Sequence, residues 1–265
     1  MATDVHRPEG PQRAPAGSDS ARAGNRKHRP TAPVPAVRVA GLTRAFDGRA
    51  IIDNLQLSVG TGEFVVLLGR SGCGKSTLLR VLAGLDRHIE GTVLVPRRRA
   101  VAFRAPPPTP WRKVWRTVLL GRPGRFRRAA AERTPTEVGL LSSPGCGPGA
   151  FAGDEVQRVS LTDVLAREPD LLLLDDPFGA LDVPARVRAQ RLVGELWQRR
   201  GCAVLLATPD VEEAVLLADR VLVMDKGAIA YEAAVELDRP RDRTGPRFAE
   251  LCAALREHLG TEPAA

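Results

Sequence analysis

Four short stretches of the chain are apolar almost without a break: "GEFVVLLG" (62–69), "DLLLLD" (170–175), "AVLLAT" (203–208) and "RVLVMD" (220–225). Side chains alternate across a strand, so a strand apolar at every position needs cover on both faces. Helical periodicity lies between these stretches. "KSTLLRVLAGL" (75–85) puts Leu78, Leu79, Val81 and Leu82 on one face, and residues 183–199 and 211–218 read the same way. Strands alternating with helices predict an α/β fold with a mainly parallel sheet at its core. Ahead of it, "AVRVAGLTRAF" (36–46) and "AIIDNLQLSVG" (50–60) alternate only partly and are bounded by turn residues. They predict an N-terminal antiparallel β subdomain.

Residues 1–35 are rich in Pro, Ala, Arg and Gly and carry almost no bulky apolar side chain, so a disordered tail is expected. Residues 104–150 are rich in Pro, Gly and Arg, whereas 155–167 again look helical; together they suggest a helical subdomain over about 104–167. The main domain is placed at 36–240, with a helical extension over 241–265. With 265 residues and 43% hydrophobic content, the chain can fill a core. No apolar run approaches the roughly 18 to 20 residues that cross a bilayer, and no signal-peptide core opens the chain, so any membrane role is expected to be peripheral. Cys73, Cys146, Cys202 and Cys252 lack metal-ligand spacing and suit a reducing cytoplasm. The net charge of +8 comes largely from Arg in the tail, at 97–99 and at 121–128, with few aromatics between, which argues for solvated surface over a nucleic-acid partner.

"GRSGCGKST" (69–77) matches G-x-x-x-x-G-K-[ST] and sits between a buried strand and a helix. Gly69, Gly72 and Gly74 allow backbone conformations closed to larger residues, so successive N–H groups can turn inward around phosphate oxygens at a helix N-terminus. Arg70, Ser71, Cys73 and Thr77 complete this cradle. Lys75 would reach the β and γ phosphates and Ser76 would ligate Mg²⁺. The plainer reading, a flexible Gly-Ser loop, does not account for the flanking strand and helix. A second parallel strand beside this loop would deliver Asp175 toward the metal, and Asp176 would fall where an acid orients the attacking water. Cys73, inside the cradle, is expected to accept alkylation, with ATP protecting it.

The chain resembles the ATP-binding subunits of ABC transporters, and among them the importers of nitrate, taurine and aliphatic sulfonates. The resemblance spans about residues 37–260. It rests on "LTRAFDGRAIIDNLQLSVGTGEFVVLLGRSGCGKSTLLRVLAGLDRHIEG", "LAREPDLLLLDDPFGALD", "TPDVEEAVLLADRVLVMDKGAI" and "DRPRDRTGPRFAEL". The last, with its core from Pro240 to Arg243, is similar to the sulfonate-type subgroup. It implies a P-loop NTPase fold and ATP with Mg²⁺ as cofactors. It also implies a transmembrane permease docked near 105–130, a second ATP-binding subunit (identical or an intact paralogue), a solute-binding protein acting indirectly, and a place on the cytoplasmic face of the membrane. Phe46 looks like the aromatic that stacks on adenine, the other reading being a strand residue packed in the core. "GALD" (179–182) looks like a dimer-facing loop. Trp111 and Trp115 would offer apolar contact to a partner helix, or simply fill a core.

Several positions depart from the family pattern. Where the family has glutamate after the strand aspartate, this chain has Asp176, one methylene shorter; a misplacement of roughly an ångström can cost about a hundredfold in rate. The family's Leu-Ser-Gly-Gly-Gln reads "FAGDE" (151–155): Ala152 lacks a hydroxyl, and Asp154 brings a carboxylate toward a polyphosphate. Arg104 stands where the family has a glutamine beside the metal, and Pro209 replaces the switch histidine. The expectation is a subunit that binds Mg·ATP and hydrolyses it weakly or not at all alone, paired with an intact paralogue or closing weakly on a second copy. The alternatives are a soluble nucleotide-binding regulatory or nucleic-acid-associated P-loop protein, or a decayed gene product.

Overall fold

The computed structural model describes residues 35–102, 169–179 and 181–260. The expected tail, the expected helical subdomain, Arg104, Trp111, Trp115 and "FAGDE" lie outside the described residues.

β1 (Pro35–Phe46) pairs antiparallel with both β2 (Arg49–Gly60) and β4 (Glu90–Leu94), giving a three-stranded sheet in the order β2-β1-β4. The second sheet is built from β3 (Phe64–Leu68), β5 (Arg99–Ala102), β6 (Leu171–Asp175), β7 (Ala203–Thr208), β8 (Arg220–Asp225) and β9 (Ala228–Ala234). Its order is β5-β6-β7-β3-β8-β9, parallel throughout except for β9, which returns antiparallel along β8. The mainly parallel core and the antiparallel subdomain are therefore as the sequence suggests.

The unbroken apolar runs follow from two cores, one on each face of the large sheet. Phe64, Val66 and Leu68 of β3 point into one, and Val65 and Leu67 into the other. β6 does the same, with Leu172 and Leu174 on the first side and Leu171 and Leu173 on the second. The second core is closed by α1 (Lys75–Ala83), whose Leu78, Leu79, Val81 and Leu82 are buried, and by the inner face of the three-stranded sheet. The first is closed by α2 (Val183–Arg200), α3 (Val211–Leu217) and α4 (Pro246–Leu259).

Local chemistry sets the helix ends. α1 stops at Gly84, in the left-handed region at φ 77°, and α2 stops at Gly201, at φ 62°. Asp182 starts α2 by accepting from the Ala185 N–H at 2.8 Å, and Asp210 starts α3 by accepting from the Glu212 and Glu213 N–H groups. α4, in the segment expected as a helical extension, buries Phe248, Cys252 and Leu255 in the first core. The loop before it is held by Arg241, whose guanidinium donates to the carbonyls of Val215, Ala218, Val235 and Leu237. Burial pushes this guanidinium down to about 10.

The strand bearing Asp175 is parallel to β3 but not beside it: β7 lies between them, because Phe64↔Val204 and Leu172↔Val204 pair on opposite sides of that strand. α1, leaving the end of β3, crosses and packs against β6. The helix, not strand adjacency, brings the two motifs together.

Candidate nucleotide site

β3 ends at Leu68 and the chain turns through residues 69–74 into α1, which carries no side-chain cap at its N-terminus. Its first N–H groups therefore face the loop without a side-chain acceptor, the arrangement that receives anions. Two glycines are required by contact. A Cβ at Gly69 would meet the Met224 carbonyl oxygen at 2.6 Å. At Gly74, with φ 110°, one would meet the Ile51 carbonyl oxygen at 2.8 Å. The loop is thus wedged between the start of β2 and the β8–β9 turn, where the Gly227 N–H donates to the Cys73 carbonyl at 3.1 Å. Ser71 and Gly72 form its exposed crest, and Thr77 lies half-buried in the first turn of α1.

Lys75 folds back over the loop, its Nζ donating to the carbonyls of Gly69 (2.6 Å) and Arg70 (2.7 Å) and lying 3.6 Å from the Cys73 Sγ. A cation is thereby held over the cradle. The Arg70 guanidinium turns outward and donates to the carbonyl of Gly260 at the end of α4. Cys73, expected to accept alkylation, is buried, so a reagent reaches its sulfur only when the loop moves.

The Ser76 hydroxyl donates to Asp175 Oδ1 at 3.0 Å. Asp175 is buried at the end of β6. A hydroxyl and a carboxylate oxygen side by side at a phosphate-binding loop form a hard-oxygen donor pair that suits Mg²⁺, with phosphate and water oxygens completing its shell. Among the described residues there is no cluster of three or more His, Cys, Asp or Glu that could hold a metal ion.

Asp176 adopts a left-handed backbone at φ 44°, with its N–H donating to the Ala207 carbonyl at 2.8 Å. Its carboxylate lies over Gly179: a Cβ there would come within 2.6 Å of Oδ1. Pro209 is exposed and follows Thr208, whose carbonyl accepts from the Gly69 N–H at 3.3 Å. The end of β7 therefore touches the phosphate loop on one side and Asp176 on the other. Phe46 does not pack in the core. It is 45% exposed at the end of β1, with the Arg44 guanidinium 3.8 Å over its ring. The structure brings Lys75, Ser76 and Asp175 together at the loop and leaves Phe46 on the surface of the β1–β2 hairpin.

Three features of this region were not read from the sequence: the Arg70–Gly260 link, the Arg241 clasp, and buried Glu213 behind the end of β7. Glu213 stands in "VEEA", where only the apolar pattern of α3 around it marks its side as the inner one.

The family model described as "ABC transporter" matches residues 52–179. An aliphatic sulfonates import ATP-binding protein, SsuB 1 of Streptomyces avermitilis, is 68% identical over 265 residues, covering 100% of this chain and 99% of that protein. SsuB 2 of Paracoccus denitrificans, with the same description, is 57% identical over 233 residues, 88% of this chain and 95% of its own length. Among solved structures, the dimeric post-hydrolysis state of the ATP-binding cassette MJ0796 bound to ADP and Pi matches in fold with a TM-score of 0.67 at 23% identity. It covers 76% of this chain and 99% of that one.

Proposed function

Because the chain belongs to the ATP-binding subunits of ABC transporters, we propose that it is the nucleotide-binding subunit of an aliphatic sulfonate importer that holds Mg·ATP firmly and turns it over slowly on its own. The solute class is supported by full-length similarity to relatives bearing that description. The observation that carries the nucleotide reading is the 3.0 Å contact between Ser76 and Asp175 beside an uncapped helix N-terminus and the Lys75 ammonium.

In this reading Gly69–Thr77 wrap the phosphates, with Gly69, Arg70, Ser71, Gly72, Cys73 and Gly74 supplying main-chain donors. Lys75 leaves its two carbonyl partners for the β and γ phosphates. Ser76 and Asp175 hold Mg²⁺, which neutralises phosphate charge when bound. Phe46, exposed, offers its face to adenine. Asp176 orients water toward the γ-phosphate from a carboxylate that rests on Gly179. Slow turnover is supported by that short side chain, by Pro209 in place of an imidazole, and by Arg104, Ala152 and Asp154 in the sequence. Residues 36–240 form the cassette, with 104–167 as its helical subdomain, 1–35 as a tail and 241–265 as a C-terminal extension. The cassette closes on a second ATP-binding subunit and pulls on a membrane permease from the cytoplasmic face, served indirectly by a solute-binding protein. No helix among the described residues is long and apolar enough to cross a membrane.

The test is steady-state ATP turnover by the purified chain, alone and mixed with a complete ATP-binding subunit from the same operon. The proposal expects little release of phosphate alone and a rise on mixing. Family-typical turnover by the single chain would overturn the slow-hydrolysis part.

A further inference from the structure

Glu213 is 3% exposed, yet it is a carboxylic acid at the heart of the contact between α2 and α3. Its Oε2 accepts from the Gln190 Nε2 at 3.1 Å, and the Gln190 Oε1 accepts in turn from the Arg243 Nη2 at 2.6 Å. The Thr208 side chain hydrogen-bonds the same carboxyl. The other oxygen, Oε1, has no partner among the described residues. Neither has the buried Nε of Arg186, which stands one helical turn before Gln190 on α2. These are the only two such buried side-chain atoms among the described residues, one an acceptor and the other a cationic donor. Arg186 meanwhile reaches Asp210 Oδ2 at only 3.7 Å and the Leu181 carbonyl at 3.4 Å, neither a strong hydrogen bond.

The place matters as much as the pairing. Thr208 is the last residue of β7, its carbonyl held by the first residue of the phosphate loop, while Ala207 holds the N–H of Asp176. Asp210 ties the following loop to α3 through the N–H groups of Glu212 and Glu213. A change at the Glu213 carboxyl therefore reaches both sides of the nucleotide site through one strand end.

Resting on the Mg·ATP reading above, we infer that Glu213 is a positioning residue for the nucleotide site. As a neutral acid it leaves Thr208 and the 208–210 loop in their nucleotide-competent place; ionised, it sets a second negative charge behind Asp176. Its proton passes to solvent. The charged groups bearing on it are Asp176 and Asp210 on the acidic side and, through Gln190, Arg243 on the basic side. Burial pushes the Glu213 carboxyl up to about 7, with Asp210 and Asp176 acting in the same direction against the opposing hydrogen bonds from Gln190 and Thr208.

The experiment is Mg·ATP titration by calorimetry on the full chain at pH 6, 7 and 8, for wild type and Glu213→Gln. Wild-type affinity is expected to fall about fivefold more than that of Glu213→Gln between pH 6 and 8, the size of effect one added charge exerts on a nearby polyanion in a partly screened site. Glu213→Gln, permanently neutral, matches wild type at pH 6. Parallel pH dependence in wild type and Glu213→Gln would overturn the inference while leaving nucleotide binding intact. Absence of binding by wild type at every pH would overturn both.

Discussion

Glu213→Gln also makes a quantitative prediction about stability that needs no ligand. The carboxyl titrates at about 7 in the folded protein against a reference value of 4.5. The unfolded chain therefore ionises first as pH rises, and the folded state loses stability relative to it. Below 4.5 both states are protonated and the group costs nothing. Between 4.5 and about 7 stability falls by about 1.4 kcal/mol per pH unit, and above 7 the loss levels off at about 3 kcal/mol. Glutamine keeps the shape and the ability to accept from Gln190 but cannot ionise. Any change in hydrogen bonding shifts its whole curve by a constant, whereas the pH slope belongs to the proton. Urea unfolding of both proteins at half-unit steps from pH 5 to 8 isolates the difference, since every other group titrates in both. The gap is expected to widen in favour of Glu213→Gln by about 3 kcal/mol across that range, less the part already lost at pH 5. A gap that stays constant would refute the claim that burial keeps this acid neutral.

Two further perturbations follow from the geometry. Arg241→Met strips four carbonyls, two of them from the end of α3, of their shared donor, and chemical denaturation should record a loss of about 3–5 kcal/mol; a loss below about 1 kcal/mol would mean that those carbonyls find water. Asp175→Asn leaves the loop amides in place but removes half of the metal's donor pair, so ATP affinity measured in excess EDTA should be unchanged while the gain from adding Mg²⁺ disappears; an undiminished magnesium effect would move the metal elsewhere.

The fold was legible where burial is two-sided. β3, β6, β7 and β8 show as apolar runs because each feeds two cores, and α1 shows because its outer face is polar. Two of the edge strands were not legible. β4 reads "EGTVL" and β9 reads "AIAYEAA", neither with a fully buried residue, so neither carries a burial pattern to detect. Strand order was hidden for another reason: nothing in the residues of β6 says that β7 will insert between it and β3. In the site, the phosphate loop and Asp175 were readable because their chemistry is local in sequence. Glu213 was not, since its meaning comes from Gln190 and Thr208, which the chain brings together with it only by folding. The same holds for Arg70, an ordinary loop arginine until α4 ends against it.

The claim on which the rest depends is that the loop from Gly69 to Thr77 is a working phosphate cradle. Calorimetric titration of Mg·ATP into the full chain, with Lys75→Ala beside it, tests this most directly. A saturable one-site isotherm for the wild type, weakened at least about tenfold by the lost ammonium, is the predicted result. A flat trace for folded wild-type protein, or equal affinity in Lys75→Ala, would contradict it.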